Sequence, residues 1–324
     1  MRLRNYIFRR LLMIVPLFFF TTILVFTLIH LAPGDPVMIM FGTSTPYMKD
    51  IVKEMRETYG LDKPLYIQYF IWLSRVFRGD LGYSYLNTRK VIQMISERGW
   101  PTIELMVLAL VFSVVISTVF GVFAAVKRHS IFDNLITTTA VLGRGMPNFW
   151  LAMNLILIFS IYLGWLPVFG RFTVGAVFSS PFGYWLDRIK HLILPVISLS
   201  AFQIAYFTRL IRSTMLDVLG QEYIITARAK GLKESVVIYK HALKNALLPV
   251  VTVVGIYIGS LMGGAAIIES LFAWPGMGRL LVNSTYRREY QVLMSLNMII
   301  IFMVLVSNLI TDVVYAYLDP RIKY

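Results

Sequence analysis

Long apolar runs alternate with short polar intervals along most of the chain. Residues 11–31 (LLMIVPLFFFTTILVFTLIHL) and 246–268 (ALLPVVTVVGIYIGSLMGGAAII) contain no Asp, Glu, Lys or Arg. Residues 102–126 contain one such charge, Glu104, and residues 292–315 contain one, Asp312. Each run supplies the about 20 residues that a membrane-crossing helix needs. Two further runs are less clean. Residues 191–208 carry Pro195, and residues 135–163 are too long for one straight crossing and hold Arg144 and Pro147. The pattern predicts an all-α membrane protein with six spans, at 11–31, 102–126, 148–164, 191–208, 246–268 and 292–315. A helical piece at 135–147 precedes the third.

The polar intervals are 1–10, 32–101, 127–134, 165–190, 209–245, 270–291 and 316–324. The first apolar run follows a basic front, as a signal peptide would. It is longer than a signal core of about 7–15 residues, and no small-x-small cleavage pattern follows it. A retained anchor is expected. The interval 32–101 has helix-compatible stretches at 47–59 and 64–77, with Gly60 and Gly79 as helix stops. Its charges nearly balance, so it reads as a small folded cap.

Composition supports the membrane reading. Hydrophobic residues make up 57% and charged residues 15%, where a soluble domain has about 25% charged. Mean hydropathy is +0.69. These values exclude an ordinary soluble enzyme and a disordered chain. The net charge of +14 would suggest nucleic acid in a soluble protein. Here positive-inside topology accounts for it better. With the N-terminus inside, inner and outer intervals each hold 15 Lys and Arg. Interval 32–101 exceeds the loop length of about 60 residues over which charge directs topology. Setting it aside leaves 15 inside against 6 outside, which places both termini in the cytoplasm. The chain has no cysteine, so disulfides, thiolate metal sites and cysteine nucleophiles are excluded. His30 and His191 share no ligand spacing with another His or carboxylate, and no metal is assigned.

The segment 220–249 (GQEYIITARAKGLKESVVIYKHALKNALLP) is more patterned than a connector. It reads as a short helix at 221–230, a left-handed stop at Gly231, and a second helix from Lys233 towards Pro249. Ala227 and Ala229 flank Arg228, so a partner could approach the backbone closely while Arg228 and Lys230 donate hydrogen bonds. An amphipathic loop resting on lipid headgroups is the other reading.

This segment resembles the EAA loop of ABC-importer permease subunits, and more closely the dipeptide/oligopeptide/nickel branch. The matching residues are Tyr223 to Leu232 and His241 to Pro249. Ile225 stands where the general motif has Glu. The likeness continues over nearly the whole chain. It includes Pro33-Gly34-Asp35-Pro36, Gly60 to Leu65 with Gln68-Tyr69, Gly79 to Ser84, Phe272 to Leu280, and Asp319-Pro320-Arg321. The resemblance implies a type I ABC importer permease fold, with its transmembrane domain at about 98–316. It implies that Glu222, Tyr223, Thr226, Ala227, Arg228, Ala229, Lys230, Gly231 and Leu232 couple to an ATPase. It also implies a homologous second permease, two cytoplasmic ATPase subunits and an extracytoplasmic solute-binding protein as partners, in the cytoplasmic membrane. No Gly-Lys dipeptide occurs, so the chain lacks a P-loop. ATP and Mg are expected on partner subunits, with no cofactor and no catalytic residue in this chain.

Other features have bland and functional readings. Gly255, Gly259 and Gly263, with Gly264 adjacent, form a stripe suited to close helix packing or to lining a path. Glu104, Arg144, Glu269 and Asp312 lie within or beside spans, where charges often serve function. An ion pair or interfacial hydration is enough for the three carboxylates, and anchoring to headgroups or to a neighbouring carbonyl for Arg144. Trp72, Trp100, Trp165, Trp185 and Trp274 read as an outer aromatic belt and loop packing. The expected function is ATP-driven import of di- or oligopeptides by alternating access. The same machinery could serve oligosaccharides, glutathione or nickel chelates. A secondary transporter driven by an ion gradient is the competing class, resting on the scattered carboxylates.

Overall fold

The computed structural model describes residues 3–31, 62–178 and 180–318. Its helices are α1 (Leu3–Leu31), α2 (Leu65–Phe77), α3 (Val91–Val126), α4 (Ile131–Gly145), α5 (Asn148–Tyr162), α6 (Pro181–Leu219), α7 (Glu222–Ala229), α8 (Glu234–Ala246), α9 (Leu248–Leu271), α10 (Met277–Tyr286) and α11 (Tyr290–Leu318). The path turns π-helical over Ile156–Tyr162 in α5 and Val237–Ala242 in α8. Among the described residues there is no β-strand beyond an isolated bridge between Tyr83 and Lys90. Helices α1, α3, α6 and α11 are each long and apolar enough to cross a membrane. Counting the bent pairs α4–α5 and α8–α9 as one span each gives six. The 47–59 stretch, Gly60, the Pro33-Gly34-Asp35-Pro36 turn and Asp319-Pro320-Arg321 lie outside the described residues.

Hydropathy marks where helices are apolar, and several helices outrun that limit. α3 has 36 residues and α6 has 39, or about 54–58 Å at 1.5 Å per residue. A bilayer core is about 30 Å thick. Span two therefore continues a helix begun at Val91, and span four is the middle of a helix running through Pro195. Pro195 removes one donor without ending the helix. The interval 270–291 contains α10. The helix read as running from Lys233 towards Pro249 stops at Ala246, and Pro249 instead sits in the first turn of α9. The α8–α9 axis bends by 40° there. Where a helical piece at 135–147 is expected, the structure has α4 at Ile131–Gly145, meeting α5 at 106°. It starts earlier than expected because Ser130 caps it, its Oγ accepting from the Asp133 N–H at 3.2 Å.

α3 packs along α6. A Cβ at Gly121 would lie 2.8 Å from the Ile211 Cβ, so the contact requires glycine. α9 packs on α11, where a Cβ at Gly255 would meet Thr311 at 2.5 Å. Gly255 therefore lies in close contact with α11. The side chains of Gly259, Gly263 and Gly264 fall outside the described set, as does that of Arg144, which sits in the last turn of α4.

One apolar core joins Leu105, Met106 and Ala109 of α3 to Leu194 and Leu199 of α6, Ile268 of α9, and Phe272 and Trp274. A second lies at the opposite end and joins Phe207, Ile211 and Met215 of α6 to Ile224, Val237 and Ala246. Smaller clusters seat α10 against α3 and α11, and α2 against α1 and α11. Trp72 and Trp274 are buried in these clusters and do not form a belt. Trp100, Trp165 and Trp185 are exposed.

Candidate functional site

The loop joining α6 to α9 is built on a helix with two unlike faces. Ile224 and Ala227, three residues apart and so on one side of α7, are buried against Met215, Ile211 and Val237. Glu222, Tyr223, Ile225, Thr226, Arg228, Ala229 and Lys230 are exposed. Gly231 follows at φ +75°, with nothing within 4 Å of a would-be Cβ. It is there for its backbone conformation and not for space. The turn is closed by the Lys230 N–H to the Thr226 carbonyl at 3.0 Å and the Gly231 N–H to the Arg228 carbonyl at 2.9 Å.

Two side-chain bridges tie α7 to α8. Arg228 Nη2 donates to Glu234 Oε1 at 2.7 Å, and Asn245 Nδ2 donates to the Tyr223 hydroxyl at 2.8 Å. The hydrogen bond from Arg228 holds the Glu234 carboxyl below its usual range, and Glu234 in turn raises the guanidinium. The pair is open to water, so it orients Arg228 more than it stabilises the fold. The result is a rigidly seated helix presenting Tyr223, Ile225, Arg228, Lys230 and Leu232 outwards. Ala227 differs from the sequence expectation. It faces its own bundle, so close approach to this helix falls to Ala229. Ile224, the anchor, has no polar signature and is visible in the sequence only as an apolar residue three before Ala227.

Glu104, Glu269 and Asp312 are each engaged. Glu104 accepts from Arg171 Nη2 at 2.7 Å and pairs with Arg188 of α6. Asp312 of α11 pairs with Arg10 of α1 at 3.0 Å. Glu269 is fully buried, accepting from Thr102 Oγ1 at 2.6 Å and the Arg279 N–H at 3.0 Å. Thr102 Oγ1 itself accepts from the Met277 N–H at 2.8 Å. Glu269 thus caps α10 from a neighbouring helix, where a carboxylate complements the helix dipole. Gly276 abuts that carboxylate and has no room for a Cβ. The Trp274 indole N–H donates to the Pro101 carbonyl at 2.9 Å. The Phe272 to Leu280 motif therefore closes a joint between α3, α9 and α10. His30 and His191 each donate from Nδ1, at 2.8 Å, to the carbonyl one turn before, that of Phe26 and of Asp187 respectively. No group of three potential metal ligands occurs among the described residues.

Comparison with known proteins agrees across the chain. Residues 117–324 match the family described as binding-protein-dependent transport system inner membrane component, and residues 3–109 match that family's N-terminal region. The chain is 43% identical to the oligopeptide transport system permease protein AppB of Bacillus subtilis, over 98% of this chain and 99% of that one. It is 39% identical to the glutathione transport system permease protein GsiC of Escherichia coli, over 99% of each. Among solved structures, an inward-facing MetNI methionine ABC transporter aligns with TM-score 0.56 at 17% identity. That alignment covers 70% of this chain and 97% of the other, and it speaks to fold alone.

Proposed function

Because the chain belongs to the binding-protein-dependent transport system inner membrane components and is a permease subunit of an ABC importer, we propose that its cargo is a short peptide. The observation that carries this is identity to a peptide permease along the full length of both chains. The chain forms half of the translocation path beside a second, homologous permease. Two cytoplasmic ATPase subunits supply ATP and Mg, and an extracytoplasmic binding protein delivers the cargo. Both termini lie in the cytoplasm, as the Lys and Arg distribution indicates.

The α7–Gly231–α8 unit docks the ATPase. Its exposed face offers Tyr223, Ile225 and Leu232 for apolar contact and Arg228 and Lys230 for polar contact, while Ile224 transfers any push to α6. Movement of the ATPase subunits then biases a bundle with two stable arrangements. An ion-gradient mechanism loses its motive, since Glu104, Glu269 and Asp312 are all committed to structural partners.

Uptake into liposomes by the reconstituted transporter tests the cargo, using dipeptides, oligopeptides, glutathione, an oligosaccharide and a nickel chelate. Peptide uptake that requires the ATPases and ATP is the expected result. Sugar or nickel uptake without peptide uptake would overturn the cargo. For the docking unit, Arg228→Glu and Gly231→Pro should abolish co-purification of the ATPase. Intact association in both would remove the assignment.

A further inference from the structure

α2 begins three residues after Asp62, and its first ten residues, Leu65–Ser74, hold no charge. It has 13 residues, about 20 Å of helix, too short to cross a bilayer and of the length typical of interfacial segments. Sequence alone places it in a water-exposed cap. Its packing places it lower.

The Tyr69 hydroxyl lies 3.0 Å from Thr22 Oγ1. Its ring packs on Phe26 at 5.4 Å and Trp72 lies 6.1 Å from the same ring. Trp72 also joins the cluster containing Met294 of α11. The Arg10–Asp312 pair marks one membrane edge on both α1 and α11. About 20 residues of helix span the apolar core, so the opposite edge falls near His30 on α1 and Val292 on α11. At 1.5 Å per residue, Phe26 and Thr22 then sit about 6 and 12 Å inside that edge, and Met294 about 3 Å inside. On both helices the contacts with α2 thus fall inside that edge. Arg75, towards the end of α2, shares a cavity with His30 and Tyr290, which is the level of the edge itself.

The other face of α2 carries Tyr66, Phe70 and Phe77, all more than 60% exposed. At 100° per residue they lie within about 40° of one another, forming a single stripe. It continues the exposed apolar surface of α1, where Phe20, Leu28 and Leu31 are open. We propose that α2 is an interfacial helix, with Tyr66 and Phe70 in the acyl chains and Phe77 at the edge of the leaflet remote from the Arg10–Asp312 pair. Under the orientation above this is the outer leaflet. The occupant is lipid because the stripe lies at acyl-chain depth and is continuous with a lipid-facing span. Arg75 and Arg78 follow the apolar stretch at the level of that edge, where long basic side chains reach headgroups.

The cysteine-free chain makes the test direct. Phe70→Cys and Tyr66→Cys are labelled with a polarity-sensitive fluorophore in the complete transporter, reconstituted in phosphatidylcholine–phosphatidylglycerol nanodiscs. Glu97→Cys, exposed on α3 beyond that edge, is the aqueous reference. The expected result is loss of fluorescence at 66 and 70 with lipids spin-labelled high on the acyl chain and none with iodide, and the reverse at 97. Quenching of both α2 probes by iodide alone would return α2 to the aqueous cap. Quenching by neither agent would mean that residues 32–61 or a partner subunit cover the stripe. Either result overturns the proposal.

Discussion

Two carboxylates show how single residues hold this membrane protein together. Asp133 accepts both Arg212 nitrogens, Nε at 2.5 Å and Nη2 at 2.7 Å, and the His129 N–H at 3.0 Å. Its hydrogen bond from Arg212 holds its carboxyl below the usual range. A depressed native pKa means that the stabilisation is complete above the unfolded value and is lost as pH falls through the native one. Thermal melts of wild type should therefore weaken only in the acid range below ordinary carboxylate titration. Asp133→Asn should be less stable at neutral pH and lose that acid dependence. At the joint of α3, α9 and α10, Gly276→Ala should lower the melting temperature by the equivalent of about 1–3 kcal/mol, because a Cβ there displaces the Glu269 carboxylate from its donors. Gly145→Ala, where nothing lies within 4 Å, is the matched control and should be neutral or better.

At the scale of elements, α7 has a buried face that seats it and an exposed face, the one proposed to dock the ATPase. Ile224→Ala removes a fully buried side chain and should cost about 2–5 kcal/mol. It should also uncouple ATP hydrolysis from transport. Ile225→Ala trims an exposed one and should weaken ATPase association with the melting temperature unchanged. If both variants behave alike, the two faces are not distinct. Much of this element was legible in the sequence. Gly231 announced the left-handed break, and the apolar runs located the spans. The inward turn of Ala227 was not legible, because an alanine beside arginine carries no signal of which face it occupies. The reach of α3 and α6 was equally hidden, since a helix can continue through polar turns that hydropathy reads as loop. The depth of α2 required knowing that Tyr69 meets Thr22, two residues whose approach no local pattern encodes. Glu269 looked like a possible path charge until its donors were seen to be the start of α10 and Thr102.

Across the whole molecule, the polar contacts at one end link residues remote in sequence. Thr102 meets Glu269, the Pro101 carbonyl meets Trp274, and Ser84 donates to Glu289 at 2.5 Å. The Leu81 carbonyl is reached by Gln291 at 3.0 Å. The early members of these pairs are made long before their partners. During synthesis Thr102 of α3 must therefore wait for Glu269 and the Met277 N–H until the final third of the chain has been made. A chain ending after α8 should be cleared by membrane proteases in a pulse–chase experiment, and co-expression of residues 247–324 as a separate piece should slow that clearance. The joint around Glu269 thus closes only when residues from the first and the last third of the chain are both present.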